Sequence, residues 1–574
     1  DPGGVRPSIS TASGNVQLPT AQPGSTNATL AFNQGLASLN WITSDVGQYA
    51  FNLRDDSSGL VVDTSGAPLP ITGTSATFTV RPFGFYTRAQ SRRVPVTSNP
   101  APNDATGAAF VKAGENFDVL AIAVQYESAD DSNADGVPDA GADLSGNGTA
   151  PAFGQEPAGV RDTVALSSTL VLPSAAGSVH PGLSGITSIT SFSSGAGSAI
   201  TSYGEVGIIS ISAALADNSY LGSSNVTGNI PRVGRFYPDH FTAAHNSPTL
   251  RDGSGSWSCD FTYQGQTFGF ATEPQVTFTA VNTSGNPTLN YTGDFWKLDV
   301  PQHGIALDAS SPPAGSACIS SGAVVAGCFS ENSASVARSW SGTDSYDGQG
   351  VFFTGSHVLQ INKLNPMPNA GDVPYPPRVD LVLPAAEITD NDGACYLSGG
   401  SCSEFRIDDI SGTDIRYGRG WIDNTNGPVM TPLIMTLRLQ YWDASANFVY
   451  NTLDNAGCSG TPALTTDIQL SNFTGNLQAG ETSVAALSAQ PGYYLASLAA
   501  PGSDSSGQPN AGTAIVTWLL DNDTSDNAPG EACSQHWLCY DYDGNGLNEN
   551  PAARAIFSTL PDKRPLLFLK EAYR

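Results

Sequence analysis

The feature that most constrains the fold of this chain is a series of short runs in which apolar and polar residues alternate. Residues 76–80, 276–280 and 437–441 each place apolar side chains on one face and polar side chains on the other. This two-residue period is typical of half-buried β-strands, because an amphipathic helix would repeat every 3.6 residues. Turn-forming Gly, Pro, Asn and Asp interrupt the runs about every ten positions. We therefore predict an all-β protein built from tandem immunoglobulin-like β-sandwich domains.

The length of 574 residues predicts several domains, each large enough to have its own core. The aromatic segments at 80–86 and 233–238 resemble each other and suggest repeated modules. We predict four modules, which together would form a stiff rod. They are an immunoglobulin-like sandwich at 1–86, a second at 87–240 with an acidic calcium-binding insertion, a β-sandwich at 241–385, and a C-terminal β domain with disulfides and an acidic loop at 386–574.

The charge balance excludes several classes of partner. The chain has 24 Lys and Arg against 52 Asp and Glu, for a formal net charge of −28. Such a negative field repels phosphate backbones, so we expect no nucleic-acid partner. Lys occurs at only five positions and forms no polybasic patch that would favour an anionic membrane. No segment approaches the ~20 apolar residues of a membrane-spanning helix.

The eight cysteines indicate the compartment. Six form close pairs at 318/328, 395/402 and 533/539, each among Gly, Ser or Asn, while Cys259 and Cys458 are left for a long-range bridge or for separate fates. Zinc is the alternative, but no pair has CxxC spacing and the six His are scattered. We favour disulfides, and with them an extracellular or cell-surface location. The start, Asp1-Pro2-Gly3-Gly4, lacks Met and the layout of a signal peptide. We expect a processed product or part of a longer protein.

The first candidate metal site is an acidic loop at 131–139. Asp131, Asn133, Asp135 and Asp139 occupy relative positions 1, 3, 5 and 9, and Gly136 stands at position 6. Ca²⁺ takes six to eight oxygen ligands, and alternate residues of a curled loop direct their oxygens inward. The spacing therefore predicts a Ca²⁺ site. The alternative is a solvated loop in which Asp, Asn and Gly serve only as turn residues.

A second candidate lies at 541–549. Asp541, Asp543 and Asn545 again occupy positions 1, 3 and 5, a glycine follows at position 6, and Glu549 stands at position 9. The bidentate Glu of an EF-hand would fall at position 12, where this chain has Ala552. We predict Ca²⁺ here as well, in a loop that is not an EF-hand. We expect the shorter acidic segments at 390–393 and 521–523 to be turns.

No catalytic motif is evident, and we expect no enzyme activity. HExxH, GxSxG, the P-loop and a GxGxxG that opens a helix are all missing from the sequence. Asp239, His240, His245 and Ser247 are close in sequence, but we favour a structural role because neighbouring strand residues point to opposite faces. Four tryptophans are candidates for a sugar-stacking platform, although Trp in alternating segments is more often part of a core: Trp257, Trp296, Trp421 and Trp442.

Three longer segments resemble a known family. They are residues 234–241 (GRFYPDHF), 259–266 (CDFTYQGQ) and 290–298 (NYTGDFWKL), and they are similar to the MshQ-like family. Shorter similarities occur at 113–117, 205–207, 415–419, 423–424, 439–442, 541–546 and 551–555. The resemblance implies a large secreted or surface protein associated with the MSHA type IV pilus of Gram-negative bacteria. Family members often carry a lectin-like domain before this region, which has no evident counterpart here. The family offers no established catalytic residues.

We interpret the chain as a structural and adhesive protein of a Gram-negative cell surface, with Ca²⁺ as its cofactor. Its expected partners are type IV pilus subunits or other copies of itself, and surface glycans are further candidate ligands. Two alternatives stay open. One is a secreted carbohydrate-active enzyme or carbohydrate-binding module, and the other is a self-assembling extracellular filament subunit.

Overall fold

The computed structural model describes residues 6–11, 14–19, 24–55, 59, 61–253, 259–332, 337–455, 458, 464–520, 533 and 536–559. Within these ranges the regular structure is β-strand, joined by four single-turn 3₁₀ segments: Ser128–Asp130, Leu144–Gly146, Gly293–Phe295 and Thr465–Asp467. In this described part, no helix has the length and apolarity that crossing a membrane would require.

The first module contains short strands with little buried surface. Its three sheets have the orders β2-β1-β3, β4-β7 and β5-β6. The rings of Trp41, Tyr49, Phe51 and Phe78 pack together, with centroids 5.0–6.2 Å apart. The strands are β1 (Ser8–Thr11), β2 (Gly14–Gln17), β3 (Asn40–Ile42), β4 (Gly47–Tyr49), β5 (Asn52–Asp55), β6 (Ile71–Thr74) and β7 (Phe78–Val80).

The second module is an immunoglobulin-like sandwich. Its strands are β8 (Gly84–Ser91), β9 (Asn116–Val124), β10 (Val164–Leu172), β11 (Leu183–Gly185), β12 (Ser188–Ile189), β13 (Ala196–Tyr203), β14 (Gly207–Leu215) and β15 (Thr227–Phe236). One sheet has the order β8-β9-β13-β11 and the other has the order β12-β10-β14-β15, all antiparallel. These orders correspond to the A-B-E-D and C-F-G sheets of the immunoglobulin fold, with β12 added beside strand C. Phe85, Phe117, Phe153 and Phe236 are buried between the sheets.

The third module has two four-stranded sheets, β16-β20-β26-β25 and β17-β19-β27-β24, and a three-stranded sheet, β21-β28-β31. All three contribute to one core, which includes Phe278, Leu359 and Leu381. Its main strands are β16 (His240–His245), β17 (Thr249–Arg251), β18 (Phe261–Tyr263), β19 (Thr267–Thr272), β20 (Gln275–Val281) and β21 (Gly304–Leu307). Then come β22 (Ile319–Ser320), β23 (Ala323–Val324), β24 (Phe329–Asn332), β25 (Ser339–Ser341), β26 (Gln349–Phe353), β27 (Val358–Ile361), β28 (Val379–Leu383), β29 (Leu397–Ser398), β30 (Ser401–Cys402), β31 (Phe405–Ile410) and β32 (Asp414–Arg416).

The fourth module is again an immunoglobulin-like sandwich. Its strands are β33 (Gly418–Ile422), β34 (Thr425–Pro428), β35 (Leu433–Trp442), β36 (Phe448–Tyr450), β37 (Ile468–Gly475), β38 (Val484–Gln490), β39 (Tyr493–Leu498), β40 (Gly512–Trp518) and β41 (Ala552–Ser558). The order β33-β35-β39-β38 matches A-B-E-D, and β34-β41-β40-β37 forms the opposite sheet. Met435, Leu437 and Trp518 lie in the core between them.

The predicted fold class, all-β with tandem immunoglobulin-like sandwiches, is confirmed by these strand orders. The sheets group residues 84–236, 240–410 and 418–558. The third module extends past 385 because β28 and β31 are hydrogen-bonded and share its core. One short strand of the third module reaches into the fourth, since β18, which pairs in parallel with β32, has its Phe261 and Tyr263 buried in the core of the fourth module.

Candidate calcium loops and module junctions

The loop at 131–139, hereafter the first acidic loop, curls around a buried carboxylate. Asp131 is 4% exposed, and its Oδ1 and Oδ2 accept hydrogen bonds from the amides of Asp135 (3.1 Å) and Gly136 (2.8 Å). Asn133 Oδ1 accepts from the Asp135 amide at 3.1 Å, and Asp139 Oδ2 accepts from the Ser132 amide at 2.9 Å. All four predicted ligand residues therefore belong to one compact turn.

The loop at 541–549, hereafter the second acidic loop, has the same construction. Asp541 is 3% exposed and accepts from the amides of Asn545 (3.1 Å) and Gly546 (2.9 Å). Asp543 Oδ1 accepts from the Asn545 amide at 2.9 Å. The Asn545 side-chain amide lies 3.1 Å from Asp543 Oδ2 and 3.2 Å from Glu549 Oε1, so the side chains at positions 3, 5 and 9 meet.

The two loops share a backbone arrangement position by position. In each, residue 1 accepts from the amides of residues 5 and 6, residue 3 accepts from residue 5, and residue 5 accepts from residue 7. The amide of residue 9 closes the loop on the carbonyl that precedes residue 1, at 2.8 Å in the first loop and 2.9 Å in the second. The position-6 residues, Gly136 and Gly546, have φ of +75° and +89°, a region that favours glycine.

Negative charge accumulates in the second loop. Burial raises the pKa of Glu549, and the nearby carboxylates of Asp543 and Asp541 raise it further. Burial also acts to raise the pKa of Asp541, but hydrogen bonds from the amides of Gly546, Gly544 and Asn545 outweigh it and hold that pKa below its usual value. Asp541 therefore stays ionised, and its negative charge and that of Asp543 repel the Glu549 carboxylate. A divalent cation among these oxygens would relieve that repulsion.

The donor set of both loops fits Ca²⁺. Each offers carboxylate and amide oxygens at positions 1, 3, 5 and 9 of one turn, which are the hard ligands that Ca²⁺ takes. Asp131, Asn133, Asp135 and Asp139 would hold an ion in the first loop, and Asp541, Asp543, Asn545 and Glu549 in the second. The shorter segment at 390–393 is a turn, as expected, in which Asp390 accepts from the amides of Asp392 and Ala394. The segment at 521–523 lies outside the described residues.

Both acidic loops lie where modules meet. The guanidinium of Arg81, in the link between the first and second modules, donates to the carbonyl of Gly136 in the first loop. Asp135 and Gly136 also line a cavity of about 360 Å³ to which residues 43–46 of the first module contribute. In the second loop, the amide of Asp541 donates to the carbonyl of Pro366 of the third module at 3.4 Å. An ion in either loop would therefore fix a junction as well as a turn.

The junction of the second and third modules is held by buried polar groups. Glu205 is 4% exposed and accepts from the amides of Val206 (2.8 Å), Leu289 (2.9 Å) and Asn290 (3.1 Å), which tie β14 to the third module. Burial outweighs these three hydrogen bonds and raises the pKa of Glu205 to about 7.

A second contact across this junction is an ion pair. Arg235, at the end of β15, makes a bidentate salt bridge with Asp392 of the third module, and the side chains are 6% and 8% exposed. Its Nε also donates to the carbonyl of Gly107 at 2.9 Å. Planar pairing of this kind fixes orientation as well as distance.

The junction of the third and fourth modules is covalent. Cys259 beside β18 forms a disulfide with Cys458 of the fourth module. The hydroxyl of Tyr263 donates to Asp454 at 3.1 Å and accepts from Asn451 at 2.7 Å, both in the fourth module. The ammonium of Lys363 donates to carbonyls of the fourth module, including that of Gly418 at 2.9 Å. These contacts hold the two modules in one orientation.

All eight cysteines are disulfide-bonded, as the sequence favoured. The pairs are Cys259–Cys458, Cys318–Cys328, Cys395–Cys402 and Cys533–Cys539. For Cys259 and Cys458 the sequence left two alternatives, a long-range disulfide or separate roles, and the structure shows the disulfide. Four disulfides are typical of an extracellular protein, because the cytosol keeps thiols reduced.

The residues considered for catalysis are engaged in structural contacts. Asp239 bonds both His240 (2.7 Å) and Lys112 (2.9 Å), and His245 Nδ1 lies 2.5 Å from the carbonyl of Asn246. Strand β16 thus carries a hydrogen-bonded Asp–His pair at one end and a separate His at the other.

The three candidate tryptophans within the described residues, Trp296, Trp421 and Trp442, do not form one platform. Trp296 packs on Tyr291 and Trp340 in the third module. Trp421 and Trp442 belong to an aromatic group in the fourth module, where the Arg419 guanidinium lies 4.6 Å from the Trp421 ring centroid and 3.7 Å from that of Phe448. Trp257 lies outside the described residues.

Within the part of the chain that the structure describes, one group with metal-binding chemistry was not among the predicted sites. His303, Glu331 and His357 of the third module place one ligand atom each within 4.8 Å of one another. Burial, with smaller contributions from His357 and Arg338, lowers the pKa of His303 to about 4, so this ring is neutral at physiological pH. The spacings of 28 and 26 residues match no local metal motif, and only the packing of the sheets brings these residues together.

Comparison with protein families identifies most of the chain. Residues 81–203 match the second domain of DUF6701, residues 205–408 the third, and residues 416–572 the fourth. The chain belongs to the DUF6701 family. The limit between the second and third DUF6701 domains falls within the second sandwich, between β13 and β14, whereas the fourth domain begins at Arg416 of β32, where the third module gives way to the fourth. No curated protein sequence matches the chain.

Solved structures give only distant overlaps. Invasin, a bacterial integrin-binding protein, matches at 11% identity and TM-score 0.18, over 75% of this chain and 56% of its own. The I9–I11 tandem of titin matches at 6% identity and TM-score 0.18, over 69% and 89%. The S-layer protein rSbsC(31–844) matches at 11% identity and TM-score 0.16, over 83% and 45%. The fold assignment follows from the strand orders and not from these overlaps.

Proposed function

We propose that this DUF6701 chain is a structural and adhesive protein of a Gram-negative cell surface, associated with an MSHA-like type IV pilus and stiffened by Ca²⁺ and disulfides. The observation that supports the proposal best is that two acidic loops, which share the hydrogen bonds described above, lie at two different module junctions. The pilus association is supported by the resemblance of residues 234–241, 259–266 and 290–298 to the MshQ-like family. Pilus subunits, other copies of the chain and surface glycans are the proposed partners.

Calcium would act by neutralising charge where modules meet. At a net charge of −28, clustered carboxylates repel one another, and each repulsion loosens the loop that carries it. Extracellular Ca²⁺ modules have Kd values of about 10⁻⁴–10⁻³ M, so millimolar calcium would fill such loops outside the cell. The fixed junctions would then hold an adhesive end at a set distance from the cell or the pilus.

The calcium part of the proposal is tested by thermal unfolding of the purified chain. We expect EDTA to lower Tm by several degrees and Ca²⁺, but not Mg²⁺, to restore it. Asp131→Asn and Asp541→Asn should each remove part of the shift. Asp504→Asn is the matched control, because Asp504 is an exposed turn residue that also accepts backbone amides. A melting curve unmoved by EDTA would show that the loops are only turns.

The pilus part is tested by co-purification. Pili sheared from a bacterium that expresses the tagged chain should carry it, whereas the sheared fraction of a strain without the pilin should not contain it. Binding to a glycan array without hydrolysis of the glycans would identify sugars as the adhesive ligand. Release of reducing sugar from a polysaccharide would replace the proposal with the carbohydrate-active alternative. Calcium-dependent polymerisation of the pure chain would favour the filament alternative.

A further inference from the structure

The third module contains a cluster of two imidazoles and a carboxylate that three separate segments bring together. His303 directly precedes β21, Glu331 lies in β24 and His357 directly precedes β27. His303 Nε2 lies 2.9 Å from His357 Nε2, which lies 3.6 Å from Glu331 Oε1. The His357 side chain is fully buried and that of Glu331 is 17% exposed, so the cluster lies just beneath the surface.

The hydrogen bonds around the cluster direct lone pairs of His303, His357 and Glu331 toward one another. His357 Nδ1 lies 3.2 Å from Glu273 Oε2, so in a neutral ring the hydrogen belongs on Nδ1 and the lone pair on Nε2. That lone pair faces the carboxylate of Glu331 and the Nε2 of His303. A hydrogen on His303 Nε2 would satisfy one of these contacts and leave His303 Nδ1, which is buried without a partner, as a bare acceptor. A cation among the three atoms would accept the lone pairs of both Nε2 atoms and of Glu331 at once, with the hydrogen of His303 then on Nδ1.

The geometry is close to that of a zinc site. Zn–N bonds of about 2.0–2.1 Å in a tetrahedron separate two ligand nitrogens by about 3.3 Å. The two separations at His357 Nε2, 2.9 Å and 3.6 Å, lie on either side of this value, and the three ligand atoms all lie within 4.8 Å of one another. Glu273 adds the carboxylate that commonly orients a metal-bound His through its other nitrogen.

We propose that His303, Glu331 and His357 bind one divalent transition-metal ion of the zinc class, with Glu273 as the positioning residue for His357. Imidazole ligands favour Zn²⁺ and its neighbours, whereas Ca²⁺ prefers oxygen, so the site is distinct from the two acidic loops. Three protein ligands leave a fourth position for water. Because the cluster joins the β21-β28-β31 sheet to the β17-β19-β27-β24 sheet, the bound ion clamps two sheets of one module.

The charges around the cluster favour a cation. Glu331 and Glu273 both face it, and Arg338, the positive group nearby, donates instead to Gln302 and to the carbonyl of Pro301. Two carboxylates against one guanidinium leave a net negative field at the imidazole nitrogens before an ion binds.

The test is a Zn²⁺ titration of the metal-free full chain in excess Ca²⁺, so that the acidic loops do not compete. We expect one Zn²⁺ per chain at low micromolar free metal and a rise in Tm. Glu273→Gln should weaken binding about 10–100-fold, and Glu331→Gln and His303→Gln should weaken it more. Glu404→Gln is the matched control, because Glu404 is an exposed carboxylate of the same module.

Co²⁺ provides a readout that does not depend on stability. A tetrahedral site with two nitrogen ligands gives intense visible absorption, which should appear with the wild-type chain and disappear with His303→Gln. No Zn²⁺ binding by the wild-type chain, or equal affinity in Glu331→Gln and Glu404→Gln, would overturn the proposal. Since calcium saturates the loops throughout, either result leaves the proposed function to its own test.

Discussion

At the scale of the residue, the molecule places ionisable groups where water cannot reach them and supplies partners for most of their polar atoms. Glu205 combines burial with three backbone amide donors at a junction. Its pKa near 7 shows that desolvation prevails over those donors. The folded chain therefore retains a proton that the unfolded chain releases above its ordinary pKa of 4.5.

This proton makes stability depend on pH. A folded pKa raised above the unfolded value gives stability that is complete below about pH 4.5 and is lost as the pH rises through about 7. We expect Glu205 to contribute a fall of about 3 kcal/mol in the free energy of unfolding between about pH 5 and pH 8. Urea denaturation across this range should show a smaller slope with pH in Glu205→Gln than in the wild type. Glu404→Gln should keep the wild-type slope, and an unchanged slope in Glu205→Gln would contradict the assignment.

At the scale of the element, the strands were the most predictable part of the molecule. The alternating residues 276–280 and 437–441 lie within β20 and β35, and the last three residues of the run at 76–80 form β7. Period-two patterning identifies a strand but not its partner, so neither the parallel pairing of β18 with β32 nor the burial of β18 in the core of the fourth module was predictable. The acidic loops were recognisable because their spacing is local. The His303 cluster was not, because its members meet only through sheet packing.

The disulfides also divide into local and long-range pairs. Cys395 and Cys402 close a short loop, whereas Cys259 and Cys458 are 199 residues apart and join two modules. Constraint of the unfolded chain stabilises by about 5 kcal/mol for the long loop and about 2 kcal/mol for the short one. We expect the double variant Cys259→Ser, Cys458→Ser to lose more stability in guanidinium denaturation than Cys395→Ser, Cys402→Ser. Equal losses would show that the junction does not depend on its disulfide.

At the scale of the whole molecule, the junctions determine whether the modules move and unfold independently or as one unit. The second module joins the third through Glu205 and the Arg235–Asp392 pair, and the third joins the fourth through a disulfide and the inserted β18. Buried polar contacts of this kind couple the unfolding of neighbouring modules. When one module unfolds, the buried polar groups of the next module lose their hydrogen-bond partners. A stiff projecting protein needs this coupling at each junction.

Calorimetry tests the coupling directly. We expect residues 81–559 to unfold in one cooperative transition in the presence of Ca²⁺. Arg235→Met should split it, because Asp392 is then a buried charge without its partner, at a cost of about 3–5 kcal/mol. The double variant Arg235→Met, Asp392→Leu should recover most of that loss, since apolar replacement of both partners of a buried pair is often close to neutral. A wild-type chain that already unfolds in separate steps would mean that the junctions are hinges, and a chain of hinged modules would not hold an adhesive end at a fixed distance from the cell.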